Sequence, residues 1–194
     1  MRSHLAHGWE SAISNASSKA AMPFQRSTKP RPLLDEPALL DYAVKSLSAK
    51  MKSVRDLRRK LVDRGAPETV DKVLARLKDL GYLSDERFAA DYTRLRKEND
   101  KFGRRRVQQQ LFQKGIASDL SNKTLTDAYA DVDEFVLAKQ YVQRKRMKPP
   151  ANEKETVRAM RRLIAAGFTT KTVWKVLRNW GAEVEEVDVV EDDE

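Results

Sequence analysis

The sequence contains no cysteine among its 194 residues. Disulfide bonds and thiolate metal sites are therefore excluded. Histidine is almost as scarce, and the two copies, His4 and His7, stand three residues apart near the start of the chain. That spacing could hold a metal ion weakly, but chance explains two such residues in a polar leader better. We expect neither a metal nor another cofactor.

Glycine and proline are also scarce, with seven of each, and aromatic residues make up only 7% of the chain. The apolar residues recur at helical rather than alternating spacing, in a chain of which 35% is charged. This pattern favours an all-α protein with a thin, mostly aliphatic core. Apolar runs long enough for a transmembrane helix or a secretory signal are missing, so we expect no membrane partner.

Motifs that carry enzyme chemistry are missing as well. The chain has no phosphate-binding loop of the G-x-x-x-x-G-K type and no G-x-S-x-G nucleophile elbow. Most carboxylates fall beside arginines at positions typical of solvated helix surfaces. We therefore expect a protein that is not an enzyme.

Positive charge dominates the chain except at its end. All 38 basic residues and 21 of the 29 acidic ones precede residue 183, whereas the last twelve residues, EVEEVDVVEDDE, contain eight acids and no base. A basic body predicts a polyanionic partner, nucleic acid first, although a solubilising tail on a charged surface is an equal alternative. We expect 183–194 to be a disordered acidic tail and 1–34 a disordered leader, or a leader whose true start is Met22.

The stretch GYLSDERFAADYTRLR at 81–96 predicts a junction between two helices. Gly81 can adopt the left-handed conformation that closes a helix, and Ser84 is a good N-cap for the next one. Leu83 before the cap and Phe88 inside the helix are spaced to form a hydrophobic staple. Helical spacing also predicts three core stripes. They consist of Leu40, Ala43, Val44 and Leu47, then Val70, Val73, Leu74, Leu77 and Leu80, then Phe88, Tyr92 and Leu95.

A Leu-x-x-x-Gly motif occurs three times, as LVDRG at 61–65, LFQKG at 111–115 and LIAAG at 163–167. A basic helical segment precedes each copy, and a further amphipathic segment follows it. Self-similarity of this kind predicts structural repeats. We expect nine helices in three tandem three-helix units, at 35–83, 84–130 and 131–182, that form an elongated, curved array.

The middle of the chain resembles the RecX family of bacterial regulators of the RecA recombinase. The resemblance runs from about residue 38 to 182 and is most specific in the second unit. The residues that match the family pattern are Gly81, Tyr82, Leu83, Asp85, Arg87, Phe88, Ala89, Tyr92, Arg96, Gly103, Arg106, Leu111, Lys114, Gly115 and Ile116. Ser84 and Gln110 depart from it, where the family often has Asp and Glu. Serine caps a helix as Asp does, whereas Gln110 removes a surface carboxylate.

The resemblance implies a function for the chain. A RecX-like protein would bind the RecA–DNA filament and mainly inhibit strand exchange, ATP hydrolysis and coprotease activity in DNA repair and the SOS response. It would also bind single- and double-stranded DNA without sequence preference. We expect a cytoplasmic monomer.

Candidate contact residues come from the basic clusters and from Tyr82, an aromatic residue just past a helix end that we do not assign to the core. Three consecutive arginines begin a helix at 104–106, where free amide groups also favour phosphate. Cations at 144–146 end another helix, where they would equally offset its dipole. The full set of candidates for binding RecA or DNA is Arg55, Arg58, Arg59, Tyr82, Arg96, Arg104, Arg105, Arg106, Lys114, Arg144, Lys145 and Arg146. The acidic tail is expected to compete for the face that carries the 104–106 arginines.

A different function stays open from the residues alone. Three-helix units also occur in helix-turn-helix transcription regulators, which read base edges with Arg, Asn or Gln. The segment Gln108–Gln110 is the nearest candidate for such a recognition surface, and no dimerisation helix is evident.

Overall fold

The computed structural model describes residues 32–180, and this part of the chain contains nine α-helices and no strand. The bounds are α1 Glu36–Ala49, α2 Val54–Val62, α3 Pro67–Asp79, α4 Asp85–Glu98, α5 Arg104–Gln113, α6 Ser118–Tyr129, α7 Glu134–Arg144, α8 Glu153–Ala165 and α9 Thr170–Asn179. The predicted all-α repeat architecture is confirmed. His4, His7, Met22 and most of the leader lie outside the described residues, as does the tail 183–194.

Side-chain caps fix where several helices begin. Ser53 Oγ accepts the Asp56 N–H at 3.2 Å, and Ser84 Oγ accepts the Arg87 N–H at 3.2 Å. Each bond satisfies an amide that has no partner inside its own helix. Gly81 closes the preceding helix with a φ of 71°. The sequence signals at these three positions are confirmed.

The helices form three hydrophobic cores, and each core belongs to one triplet of consecutive helices. We name these triplets the first repeat (α1–α3), the second repeat (α4–α6) and the third repeat (α7–α9). The leucine of each Leu-x-x-x-Gly motif, Leu61, Leu111 or Leu163, is fully buried in the core of its repeat. Burying one such side chain contributes about 1.5–3 kcal/mol, which explains why the motif leucine recurs.

Several details of the predicted stripes are wrong. In α1 the fully buried apolar residues are Leu39, which the stripe left out, and Ala43, which it contained, whereas Leu40, Val44 and Leu47 are only partly buried. Leu80 is 57% exposed because α3 ends at Asp79, so its side chain no longer follows the buried face.

Two predictions about α4 also fail. Leu95 is 40% exposed. Leu83 packs into the core of the first repeat and Phe88 into the core of the second, so the two side chains stabilise different repeats instead of forming a staple.

Neighbouring repeats meet through one recurring hydrogen bond to a backbone carbonyl. The carbonyl just before the motif glycine accepts a hydrogen bond from the chain that precedes its repeat. Lys114 O accepts from Ser53 Oγ at 2.7 Å, and Ala166 O accepts from Gly103 N at 2.9 Å. In the first repeat, Arg64 O accepts from Leu34 N at 2.7 Å, so the segment before α1 takes the place of a preceding repeat.

Two motif glycines permit these contacts. Gly115 and Gly167 have φ angles of 78° and 93°, which favour glycine. A Cβ on Gly167 would lie 2.3 Å from the backbone nitrogen of Arg106, and a Cβ on Gly115 would lie 2.3 Å from Cδ of Arg55. At each of these glycines, the start of the second helix of one repeat packs against the end of the second helix of the next repeat. These helices are α2 and α5 at Gly115, and α5 and α8 at Gly167.

Candidate nucleic-acid and partner interface

The start of α5 carries the predicted arginine cluster. Arg104 and Arg105 are exposed, whereas Arg106 is only partly exposed. Arg104 Nη2 donates to Thr126 Oγ1 at 3.1 Å, and the Arg106 guanidinium donates to Gln109 and lies 6.0 Å from the Phe102 ring centroid. Arg106 is less accessible than its two neighbours because it packs at the junction with the third repeat.

The first turn of α5 contains no acidic residue, and its N-cap is Gly103, which has no side chain to accept an amide hydrogen. No side chain of this turn offsets the positive end of the helix dipole, although the carbonyl end of α8 lies against it, so Arg104 and Arg105 supply the exposed positive charge. A helix start of this kind favours an anion such as a phosphate group.

A second set of arginines lies on α2. Arg55, Arg58 and Arg59 are exposed, as predicted. Arg58 forms a close ion pair with Asp71, so part of its charge is already compensated. Arg59 is 83% exposed and lies 3.8 Å from Asp56, a distance at which a solvated ion pair holds it weakly. Arg55 and Arg59 are the residues of α2 best placed to meet an external anion.

Lys114 and Arg96 are held by internal ion pairs. Lys114 Nζ lies 2.7 Å from Asp56 Oδ2 and so links the second repeat to the first. Arg96 Nη1 lies 2.7 Å from Asp100 Oδ2, and its guanidinium covers the Tyr92 ring at 4.8 Å. The hydrogen bond to Asp100 raises the pKa of Arg96 above its ordinary value, against the opposing effect of burial. The main role of both side chains is therefore to stabilise the folded protein.

The remaining candidates lie at the ends of α3 and α7. Tyr82 is 65% exposed directly after Gly81 and is free to contact a partner. Arg144, the last residue of α7, and Arg146, just beyond the helix, are exposed, and Lys145 lies 5.9 Å from the Tyr141 ring centroid. These three cations also offset the dipole at the end of α7, so stabilisation of the helix is by itself enough to explain their position.

The structure also brings together lysines that sequence analysis did not single out. Lys50, Lys52 and Lys60 line a groove between α2 and α4, together with Lys114, Arg96 and Tyr92. Burial lowers the pKa of Lys52, and the neighbouring charges of Lys60 and Lys50 lower it further. The sequence holds no signal for this cluster, because the loop before α2 and the middle of α4 meet only in the folded chain.

The glutamines of α5 are engaged inside the second repeat. Gln108 Nε2 donates to Asn122 Oδ1 at 2.9 Å, and Gln110 Oε1 accepts from the Tyr92 hydroxyl at 3.2 Å. Gln109 accepts from Arg106. A row of amides that read base edges would instead need these groups free toward solvent.

Between residues 32 and 180, no three His, Asp or Glu side chains form a group that could hold a metal ion. In the same range, no helix combines the length and apolar character needed to cross a membrane.

Comparison with known proteins relates the chain to one family. Residues 40–77 match the family model described as RecX, first three-helix domain, and residues 84–125 match the model described as RecX, second three-helix domain. The regulatory protein RecX of Shigella dysenteriae serotype 1 is 32% identical over 154 residues, which cover 73% of this chain and 91% of that protein. The RecX protein of Escherichia coli strain K12 gives the same identity and coverage.

Solved structures support the same fold. A crystal structure of regulatory protein RecX superposes with a TM-score of 0.62 at 23% identity, over 74% of this chain and 71% of that one. The crystal structure of RecX from Lactobacillus salivarius gives a TM-score of 0.59 at 17% identity, over 76% of this chain and 97% of that one. At these identities the two structures bear on the fold alone. Because the sequence match spans nine tenths of its relatives and both three-helix models fit, the chain belongs to the RecX family of regulatory proteins.

Proposed function

We propose that this protein binds the RecA–DNA filament and mainly inhibits the recombinase, ATPase and coprotease activities of RecA in DNA repair and the SOS response. The partner follows from the family to which the chain belongs. The protein acts by binding rather than by catalysis, as a monomer in the cytoplasm. It also binds single- and double-stranded DNA without sequence preference.

One structural observation carries the DNA-binding part of the proposal. Arg55 and Arg105 each occupy the second position after the N-cap of the second helix of their repeats. Both are exposed, and exposed arginines, Arg59 and Arg104, stand near them in the same helices. Two successive repeats therefore present cations at corresponding helix starts, a pattern suited to phosphates that recur along a nucleic acid backbone.

The third repeat also has an exposed cation at the corresponding position, Lys154, but a glutamate stands on each side of it. The first turn of α8 contains Glu153 and Glu155, and its N-cap is Asn152, whose side chain accepts the Glu155 N–H at 3.0 Å. These two carboxylates offset the dipole and would repel phosphate, whereas the first turn of α2 contains one acid, Asp56, which is paired with Lys114. The proposal therefore assigns the DNA contacts to the first and second repeats.

A transcription regulator of the helix-turn-helix class is the weaker alternative. Its best recognition segment, Gln108–Gln110, is engaged by hydrogen bonds inside the second repeat. The positive charge of the arginines at the helix starts attracts the phosphates of DNA whatever its base sequence. Binding of the protein to DNA of unrelated sequences with affinities within about threefold, under one salt concentration, would support the non-specific reading.

Cosedimentation with RecA filaments tests the proposal. The protein is mixed with RecA filaments assembled on single-stranded DNA, and in parallel with the DNA alone. We expect more protein to sediment with the filament than with naked DNA at equal nucleotide concentration. A variant with Arg55, Arg59, Arg104 and Arg105 replaced by Ala should lose most binding to naked DNA.

The matched control removes the same number of positive charges from α8 of the third repeat, where the exposed residues replaced by Ala are Lys154, Arg158, Arg161 and Arg162. It should leave binding to naked DNA largely unchanged. Equal sedimentation with filament and naked DNA would contradict RecA as the partner, and equal losses in both variants would contradict the assignment of the DNA contacts.

A further inference from the structure

The residue that follows the motif leucine is apolar and exposed in each of the three repeats. It is Val62 in the first repeat, Phe112 in the second and Ile164 in the third, and Phe112 is the most exposed of them, at 70%. Single apolar side chains are common on protein surfaces, so exposure alone does not mark a binding site. The second repeat differs because this side chain is an aromatic ring and because a pocket lies beside it.

Phe112 lines a pocket between α5 and α6, which we call the α5–α6 pocket. Its volume is about 350 Å³, and Arg105, Gln108, Ser121 and Asn122 are among its other lining residues. This volume lies at the lower end of the range that small ligands occupy, about 300–1,000 Å³. None of the described residues that line the pocket is acidic. The pocket therefore combines an aromatic ring with an uncompensated positive charge.

Arg105 lies on the same face of α5 as Phe112, seven residues or about two helical turns earlier. Two turns correspond to about 10 Å along the helix axis. Arg105 is exposed, and it forms no ion pair with any carboxylate between residues 32 and 180. The whole of α5 contains no acidic residue. A nucleic acid strand that places a base on the Phe112 ring can therefore bring a neighbouring phosphate to the guanidinium of Arg105.

The lining of the pocket also contains a buried hydroxyl group without a partner. Ser121 is 4% exposed, and its Oγ forms no hydrogen bond with any group between residues 32 and 180. Buried polar groups are paired in most proteins, so an unpaired one calls for an explanation such as a bound ligand. The neighbouring amides are satisfied, since Gln108 Nε2 donates to Asn122 Oδ1 at 2.9 Å. Polar atoms at the edge of a bound ring are one source of the partner that Ser121 lacks.

We propose that the α5–α6 pocket receives an unpaired base of single-stranded DNA, which stacks on the Phe112 ring while Arg105 binds a neighbouring phosphate. This inference rests on the DNA-binding part of the proposed function and adds to it the side chain that distinguishes single strands from duplexes. The bases of a duplex are already stacked on one another, so their faces are closed to Phe112. Stacking uses a face that every base has, which agrees with binding that has no sequence preference.

Fluorescence anisotropy with labelled oligonucleotides and the full-length chain tests this proposal. Three probes of equal length are compared at one salt concentration: oligothymidine, a strand of abasic sites, and a duplex. The abasic strand keeps the phosphates of oligothymidine and lacks its bases. The variants are Phe112→Ala, which removes the ring, and Phe112→Trp, which keeps an aromatic face. The matched control is Ile164→Ala, at the corresponding exposed position of the third repeat.

We expect Phe112→Ala to weaken binding to oligothymidine by at least about fivefold, the lower end of what one stacked base contributes. Binding to the abasic strand and to the duplex should stay the same. Phe112→Trp should bind oligothymidine as tightly as the parent, and Ile164→Ala should bind all three probes as the parent does. The salt dependence should not change in Phe112→Ala, because no charge is removed. Circular dichroism checks that each variant keeps its helical content.

Several results would overturn the proposal. A loss of equal size with oligothymidine and with the abasic strand would mean that Phe112 contacts no base. An equal loss with the duplex would place Phe112 in a groove of the double helix. Unchanged binding of Phe112→Ala to all three probes would exclude a DNA contact, and weaker sedimentation of this variant with RecA filaments would then assign the pocket to a protein.

The parent protein separates failure of this inference from failure of the proposed function. If the parent binds none of the three probes, the DNA-binding part of the proposed function is wrong and the inference falls with it. If the parent binds oligothymidine and Phe112→Ala binds it equally well, only the role of Phe112 is wrong.

Discussion

The junction between the second and third repeats depends on the missing side chain of Gly167, and Gly167→Ala tests this dependence. The backbone there has a φ of 93°, and an added Cβ would lie 2.3 Å from Arg106 N and 2.9 Å from Gly103 O. Both neighbours are backbone atoms and cannot rotate away as a side chain can. The substitution must therefore strain the residue, displace the start of α5, or both.

The expected cost is the sum of two effects. A non-glycine residue in the left-handed region costs about 1–2 kcal/mol. Overpacking of a tight contact costs about 1–3 kcal/mol more. We expect Gly167→Ala to lower the free energy of unfolding by about 2–5 kcal/mol.

Gly81→Ala provides the matched control. Gly81 has a φ of 71°, but the nearest atom to its added Cβ is Arg87 Nη2 at 3.9 Å, so only the backbone strain applies. Its loss should be about 1–2 kcal/mol. Gly115→Ala should lie between the two, because the atoms it meets belong to the flexible side chain of Arg55, and Arg55→Ala should partly rescue it.

Urea unfolding followed by tryptophan fluorescence measures these differences. Trp174 and Trp180 pack against the core of the third repeat, and Trp9→Phe removes the remaining tryptophan signal. If Gly167→Ala destabilises the protein no more than Gly81→Ala does, the close approach of the two repeats is not needed for stability and the reasoning fails.

Three further predictions concern the core of the second repeat and the charges. Phe88→Ala should lose roughly 3–5 kcal/mol of stability in the same urea assay, since Phe88 is buried, and a loss below about 1 kcal/mol would contradict that packing. Replacing Arg104, Arg105 and Arg106 with Ala should weaken DNA binding and flatten its salt dependence, because fewer counterions are released. Unchanged binding in a folded variant would mean that these arginines face solvent without contacting DNA. Deleting 183–194 should tighten DNA binding most at low salt, and unchanged affinity there would reduce the segment to a solubilising extension.

The arginine prediction needs one control that the structure supplies. Arg106 packs at the repeat junction, so its replacement can alter stability as well as charge. The double variant Arg104→Ala and Arg105→Ala keeps that contact and should show most of the loss in DNA binding. A loss seen only in the triple variant would point to a damaged junction instead of missing phosphate contacts.

Local signals predicted the helices and their boundaries well, because capping is decided within a few residues. In capping their helices, Ser53, Ser84 and Gly81 each act through neighbours no more than six positions away. The Leu-x-x-x-Gly motif likewise predicted the repeats. Predictions failed where a helix end or a neighbouring repeat decides burial, as at Leu80 and Leu95.

The candidate interface was less accessible from sequence. The exposed arginines of α2 and α5 could be named from their spacing, but spacing does not show that Lys114 pairs with Asp56, 58 residues away in the chain. Nor does it show that the lysines before and within α2 face the side chains of α4. Charge compensation and grooves arise from contacts between repeats, and such contacts leave no periodic pattern.

ATP hydrolysis by RecA on single-stranded DNA tests the central claim most directly. Hydrolysis is measured at fixed RecA and DNA concentrations while this protein is added at increasing amounts well below that of RecA. We predict a decrease in rate that saturates, with a smaller effect for the variant lacking Arg55, Arg59, Arg104 and Arg105. An unchanged rate at every ratio, with the protein shown to be folded, would contradict the proposal that it regulates RecA.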